Sequence, residues 1–348
     1  MSKKRGVAGK FAIAAAGIAV VLVALAVLVP ALFNIAILHQ ENNPVITILQ
    51  PKSQEPKFVA RKELVQHVLE LINNDREKFG LPPVKLSLNQ AAQAHAEDVF
   101  KTKQISHWTT NGEKPYMTYT NYGGMGSVQQ NVAIAGFAKE QYNECKANII
   151  LVHCQKIDPI TDLDELEYEM MYKDKECCNN GHRDNILNDR HTHVSIGIMY
   201  DDYYLTLVEN FENNYGLDVA VNNDQVRLSG SLSTGTLDHI GIYYDEMPTP
   251  EVYEQNKHLL SYSTGDIIAV VVKPLPPGYF YKAEGYKIIE ANRWSVDDNH
   301  SVDIAFNLAL AVKRDGVYTL IATVDDAGEM FDATSYSIFV HSQHSTEG

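Results

Sequence analysis

The stretch that decides the fold is residues 193–211, HVSIGIMYDDYYLTLVENF. Two runs rich in β-branched and aromatic residues lie on either side of Asp201 and Asp202. Such runs around a short polar turn are typical of a β-hairpin. The pattern therefore predicts two antiparallel strands over residues 193–211.

Helical patterns precede this hairpin. Leu64, Val68 and Ile72 recur at helical spacing, and Gly80-Leu81-Pro82-Pro83 ends that helix. Asn89 can cap a second helix, rich in small residues that suit close packing, and residues 162–172 predict a further helix. Residues 109–127 are rich in Gly, Asn, Tyr and Thr, and they are predicted to form a long surface loop of the kind that is often functional.

The composition changes after Gly216. Short β-favouring runs, separated by turn residues, continue to the end of the chain with little helix between them. This pattern predicts an all-β sandwich over residues 217–348. Together with the mixed segment at residues 60–216, it gives an α+β protein of two domains, as expected for 348 residues.

The amino terminus predicts a membrane segment. Lys3, Lys4, Arg5 and Lys10 precede an uncharged apolar run, residues 11–38, and a bilayer-spanning helix needs about 20 such residues. The positive-inside rule makes residues 1–10 a cytoplasmic tail, and residues 39–59 are predicted to be a linker outside. A cleaved signal peptide, which would give a secreted protein, has a shorter apolar region of about 7–15 residues and a clear cleavage site. An uncleaved single-pass anchor is therefore favoured.

Charge and motifs exclude several function classes. The formal net charge is −15, with 45% hydrophobic and 21% charged residues. A globular chain of this charge lacks the basic face that nucleic acid requires, so no nucleic-acid partner is expected. The G-x-S-x-G, H-E-x-x-H and P-loop motifs of common hydrolases and nucleotide-binding proteins are absent from the sequence.

Four cysteines fit an exported chain, because export permits disulfides. Cys177 and Cys178 are adjacent, and adjacent cysteines rarely bridge each other because the geometry is strained. The expected pairing therefore joins Cys145 and Cys154 to these two. A thiolate metal site is the alternative, although no C-x-x-C spacing supports it.

Short motifs in residues 64–211 occur in an order that resembles the CAP superfamily, which includes cysteine-rich secretory proteins, antigen 5 and pathogenesis-related 1 proteins, and especially its cysteine-poor prokaryotic members. The resemblance covers less than half of the chain. The motifs are LINNDREKFGLPPV (71–84), LNQAAQAHA (88–96), Ser106-His107-Trp108, Gln130-Asn131-Val132-Ala133, GHRDNIL (181–187), and SIGI (195–198) with Glu209-Asn210-Phe211.

The resemblance implies an α-β-α sandwich with an open cavity lined by two histidines and two glutamates. The histidines correspond to His107 and His182, which would hold a divalent metal such as zinc; neutral imidazoles are good zinc ligands. Gln130 occupies the first glutamate position and cannot ionise, so it cannot act as a general base. For the second glutamate, the helix before His182 offers Glu165, Glu167 and Glu169, and Glu169 is favoured among them. Each histidine also has a purely structural interpretation.

Two functions remain open. The favoured one is a cell-surface binding module for a glycan, peptide or lipid, engaged by the cavity or by the loop at residues 109–127. The alternative is a metal-dependent hydrolase of extracellular polymers, which the exchange of a carboxylate for Gln130 disfavours. A purely structural surface protein is a third interpretation, since one scaffold hosts several functions.

Overall fold

The computed structural model describes residues 58–148, 153–282, 285–297 and 300–341. All of them belong to one compact unit, Glu55–Gly348. The predicted tail and anchor, and nearly all of the predicted linker, lie outside the described residues. No helix in the described ranges is long and apolar enough to span a bilayer.

The first part of the described chain, residues 58–216, mixes helices with one sheet. Its helices are α1 (Arg61–Lys78), α2 (Ala91–Thr102), α3 (Pro115–Asn121), α4 (Lys139–Lys146), α5 (Pro159–Tyr172), α6 (Asp174–Cys178) and α7 (Gly181–Ile186). Its strands are β1 (Lys85–Leu86), β2 (Ser127–Gly136), β3 (His193–Tyr200) and β4 (Tyr204–Asn213).

The predicted hairpin is confirmed as the centre of this sheet. Strands β3 and β4 pair antiparallel from His193 opposite Glu212 to Tyr200 opposite Leu205, and the strand order is β1-β3-β4-β2. Leu207 and alternate neighbours pack against α1 and α5, whereas Val208 packs against α2 on the other face. Helices therefore cover both faces of the sheet.

Close approach of α2 to β3 depends on a glycine. A Cβ added at Gly197 would lie 2.1 Å from the carbonyl oxygen of Ala92. No other residue fits there, and the small residues of α2 lie at this contact, as the sequence predicted.

The prediction of a long surface loop over residues 109–127 is wrong. Its centre is helix α3, which begins at Pro115, and Tyr116, Met117 and Tyr119 are buried. Their side chains pack with Val317 from beyond Gly216. The sequence prediction failed because the partner that buries this segment is about 200 residues away along the chain.

The second part, residues 217–341, is rich in sheet. Its elements are β5 (Leu217–Asn222), β6 (Gln225–Ser231), β7 (Thr236–Asp245), α8 (Pro250–Asn256), β8 (Asp266–Val272), β9 (Lys287–Glu290), β10 (Arg293–Val296), β11 (Ser301–Asn307), a 3-10 turn (Leu308–Leu310), β12 (Gly316–Asp326) and β13 (Glu329–Val340). They form two sheets of order β10-β11-β6-β5 and β13-β12-β7-β8-β9, and both contribute side chains to one apolar core.

Polar contacts join the two parts directly. Asp245 of β7 accepts hydrogen bonds from Lys114 Nζ and the Tyr116 hydroxyl, each at 2.7 Å. The Asn213 side chain donates to the Asp332 carbonyl at 2.7 Å, and Arg190 forms ion pairs with the β12–β13 turn. All of these contacts reach the five-stranded sheet of the second part, the one that contains β7, β12 and β13.

The disulfide pairing expected from the sequence is also wrong. Cys145 bonds to Cys154, with Cα atoms 5.6 Å apart, and Cys177 bonds to its neighbour Cys178. Each bond closes within its own segment: α4 and the loop that follows it hold the first pair, and α6 holds the second. No free cysteine exists among the described residues.

A buried guanidinium ties α1 to the loop before β3. Arg76 is fully buried, and its donors reach the carbonyls of Pro82, Ile186 and Asn188 at 2.8–2.9 Å. These bonds satisfy backbone groups that would otherwise lack partners in the interior, which is costly.

Two carboxyls are buried together between α5 and β4. Glu167 and Glu209 are 3% and 0% exposed, and Oε1 of each has no hydrogen-bond donor among the described residues. Burial raises the pKa of both groups, and the neighbouring Glu209 raises that of Glu167 further. The raised pKa values favour retention of a proton by this buried pair.

Replacing Arg76 by Met is expected to lower the free energy of unfolding by about 2–4 kcal/mol, because three carbonyls lose their donor. Chemical denaturation measures this change. Arg61→Met is the matched control on the same helix, since Arg61 is exposed and lies 4.0 Å from its partner Glu97. Equal stability of the two variants would contradict the role assigned to Arg76.

Glu209→Gln is expected to stabilise the protein relative to wild type by an amount that grows as the pH rises. A carboxyl whose folded pKa is raised contributes most below its unfolded pKa of about 4.3, and that contribution is lost as the pH rises through the folded pKa. Glutamine needs no proton and still accepts from Asn131. Denaturation at pH 5 and pH 8 tests this, with exposed Glu165→Gln as control. A stability difference that is constant with pH would contradict a raised pKa for Glu209 in the folded protein.

Candidate functional site

A cleft of about 330 Å³ opens between the sheet of the first part and the second part. The two histidines singled out in the sequence, His107 and His182, both line it, and so does Gln130. The opposite wall comes from the loop between α8 and β8, including Tyr262, and from strand β13, including Ser335. The structure thus brings the predicted residues together in a site that both parts of the chain build.

The segment after α2 positions His107. The His95 imidazole Nε2 lies 2.8 Å from the Ser106 carbonyl, and the Trp108 backbone N–H donates to the Ser106 hydroxyl at 3.0 Å. Buried His95 and Trp108 therefore fix the backbone on both sides of His107. His95 has a positioning role, and its place on the alanine-rich helix was the only sequence signal for it.

His107 is held neutral inside the cleft. Its Nδ1 lies 3.1 Å from Gln130 Oε1, and Gln130 Nε2 donates to Asn210 Oδ1 at 3.1 Å. The centroid of the ring is 5.1 Å from that of Tyr262, and Leu260 lines the same cleft. Burial lowers the pKa of His107 to about 4. An uncharged imidazole is therefore present at neutral pH.

A buried aspartate positions His182. Asn179 and Asn180 adopt left-handed backbone conformations, with φ of 52° and 67°, which turn the chain back from α6 into α7. Asp174 Oδ2 then accepts the His182 backbone N–H at 2.8 Å, while Asp174 Oδ1 lies 2.6 Å from His182 Nδ1. The imidazole is fixed from its own backbone and from one ring nitrogen. No pattern in the sequence identified Asp174 as a functional residue.

Asn131 connects the floor of the cleft to the buried carboxyl pair. Its Nδ2 lies within hydrogen-bonding distance of the His182 carbonyl, at 3.2 Å, and of Glu209 Oε2, at 3.1 Å. Its Oδ1 accepts from Asn185 Nδ2 at 2.8 Å. Asn131 of strand β2 is therefore hydrogen-bonded to both helix α7 and strand β4.

The structure does not bring Glu169 to the cleft. Glu169 is exposed on α5, where it pairs with Lys173 at 3.4 Å, and it borders a different surface pocket. Glu167 is the glutamate of this helix that faces the sheet, because residues 163, 166, 167 and 170 share its buried side. Glu167 meets Glu209 rather than the histidines.

Within the described residues, His107 and His182 do not belong to one set of three or more potential protein ligands, the number that catalytic zinc sites use. His107 Nδ1 already contacts the Gln130 side-chain oxygen. In the described part of the chain, the one group of at least three potential ligands contains His182 but not His107. Zinc binding by His107 and His182 together stays a prediction.

Comparison with known structures finds bacterial proteins of low sequence identity. An extracellular SCP-domain protein from Bacillus anthracis is 17% identical, with a TM-score of 0.30, over 44% of this chain and 41% of its own. A cysteine-rich secretory protein from Staphylococcus aureus is 17% identical, with a TM-score of 0.28, over 50% and 42%. An outer surface protein from Borrelia burgdorferi is 12% identical, with a TM-score of 0.29, over 46% and 100%.

Two of these three proteins are therefore matched over less than half of their own length. No curated protein matches the sequence. The model of the cysteine-rich secretory protein family, CAP, matches residues 69–211, the segment that holds the sheet and both histidines. Residues 69–211 of this chain thus form a domain of the CAP family.

Proposed function

We propose that this chain is an extracytoplasmic binding protein that recognises a neutral, hydrogen-bonding ligand in the cleft. The observation that carries the proposal is the lining of the cleft. The CAP domain contributes amides, hydroxyls and the neutral imidazole of His107, and the second part contributes further hydroxyls. Such a surface offers many hydrogen bonds and little charge, as recognition of a polar neutral molecule requires.

The lining favours a glycan over the other expected ligands. No lysine or arginine is among the described residues that line the cleft, and Asp332 is its one carboxylate, so an anionic lipid headgroup or phosphate finds no cation there. Tyr116 and Tyr262 supply aromatic rings, with centroids 6.3 Å apart, beside Gln130 and Asn131. Aromatic faces combined with amide groups suit sugar rings, which have apolar faces and hydroxyl edges.

A hydrolase is the weaker alternative. The family position for a carboxylate holds Gln130, which accepts no proton at neutral pH and is engaged by His107 and Asn210. Glu167 and Glu209 are buried behind the floor and are absent from the described lining. The geometry therefore supports binding without catalysis.

Two further features support a location outside the cytoplasm. Disulfides form in oxidising compartments, and the described residues contain two. The apolar run at residues 11–38, preceded by basic residues, would tether the chain to a membrane with the binding part outside. In this arrangement the cleft faces extracellular or envelope glycans.

The binding proposal predicts that the full-length protein binds at least one neutral oligosaccharide on a glycan microarray. Tyr262→Ala is expected to weaken that binding about tenfold, because an aromatic contact of about 1.4 kcal/mol is removed. Tyr279→Ala is the matched control, since Tyr279 is 71% exposed and is not among the lining residues. Absence of any bound oligosaccharide, or equal affinity in both variants, would reject the proposal.

The burial of His107 predicts a low midpoint for the titration of its imidazole. Its NMR signals are expected to show a midpoint at about pH 4 in the wild-type protein. In Tyr262→Ala the midpoint should move up towards the ordinary value of 6.5, because water reaches the ring. Tyr279→Ala should leave it unchanged. A wild-type midpoint near 6.5 would show that the second part does not cover His107.

A further inference from the structure

We propose that Asp174, Cys177, Cys178 and His182 form a redox-controlled site for a thiophilic divalent cation such as Zn²⁺. Cys177 and Cys178 are bonded to each other in this structure, and their reduction would complete the site. The inference does not depend on the proposed glycan binding.

The geometry of the donors carries the proposal. One potential ligand atom from each of the four residues lies within 4.8 Å of all the others. Ligand atoms in a tetrahedral zinc site lie about 3.4–3.8 Å apart, given bonds of about 2.0–2.3 Å. Two sulfurs, one imidazole nitrogen and one carboxylate oxygen are types of ligand that zinc accepts together. After reduction the two bonded sulfurs have to separate, and the four donors already lie within 4.8 Å of one another.

The chain holds these donors in place without a metal. Asp174 is 2% exposed, and it accepts backbone N–H groups from His182 and Arg183 at 2.8 and 3.3 Å. The left-handed turn at Asn179 and Asn180 returns His182 to the helix that carries the cysteines. Because the fold already orders two of the ligands, little conformational entropy remains to be lost when a cation binds.

The oxidation state of the sulfurs decides whether the site exists, because a disulfide sulfur is not a thiolate ligand. Cys177 is exposed, so a dithiol reductant can reach it. A thiolate of the dithiol attacks Cys177 Sγ and releases Cys178 as a thiolate; the second thiol then closes the dithiol's own disulfide and releases Cys177. Two electrons pass to the protein. The cation then binds both sulfurs as two thiol protons leave to solvent.

This site differs from the pair of histidines that the family resemblance implies. It uses His182 but not His107, which contacts Gln130 and Tyr262 instead. Cys178 and His182 also line the cleft. Metal binding here would therefore change one wall of the cleft and couple its shape to the redox state outside the cell.

Cobalt(II) spectroscopy of the full-length chain tests the proposal. After reduction with a dithiol, which is then removed under argon, one equivalent of Co²⁺ should produce a thiolate-to-cobalt charge-transfer band that Zn²⁺ abolishes. The oxidised protein should give no such band. Cys177→Ser with Cys178→Ser should remove the band, and His182→Ala should weaken Co²⁺ binding at least tenfold.

Two controls keep the test decisive. Cys145→Ser with Cys154→Ser should retain the band, and so should His107→Ala. If the Cys177 and Cys178 double variant fails to fold, as judged by circular dichroism, a second measurement replaces it. In reduced wild-type protein, Zn²⁺ should protect these two cysteines from alkylation. No band in the reduced wild type, no protection, or loss of the band on substitution of Cys145 and Cys154 or of His107 would overturn the proposal.

Discussion

The complete burial of strand β4 is the constraint on which the rest of the structure depends. All ten of its residues, Tyr204–Asn213, are buried, so its two faces need separate partners. Leu207 and its alternate neighbours meet α1 and α5, whereas Val208 meets α2. An isolated hairpin could not exclude water from both faces, and helices must therefore cover it on each side.

The polar end of the same strand links the core to the cleft. Glu209 receives a hydrogen bond from Asn131, Asn210 receives one from Gln130, and Asn213 donates to the Asp332 backbone of the second part. Buried polar groups of this kind are tolerated only when their partners are in place. The polar residues of β4 consequently contact the cleft, the carboxyl pair and the second part.

The cleft combines a rigid floor with a covering loop from the second part. His182 is fixed by Asp174, and His107 lies between Gln130 and Tyr262. The resemblance between this chain and the CAP family identifies both histidines, but their surroundings differ from what it implies. Gln130 removes a carboxylate, and the ring of Tyr262 adds an apolar wall. These two differences support the proposed recognition of a polar neutral ligand.

The sequence by itself determined the local elements and the identity of the cleft histidines. Two runs rich in β-branched and aromatic residues around a short turn predicted the hairpin, and helical spacing predicted α1. The ordered motifs identified His107 and His182. These signals all lie within short windows of the chain. Only the tertiary structure decided that α3 is buried, that Tyr262 covers His107, and that Asp174 and the adjacent cysteines surround His182. Those contacts depend on which distant segments meet, or on how a turn folds back, and no local pattern of apolar residues encodes either.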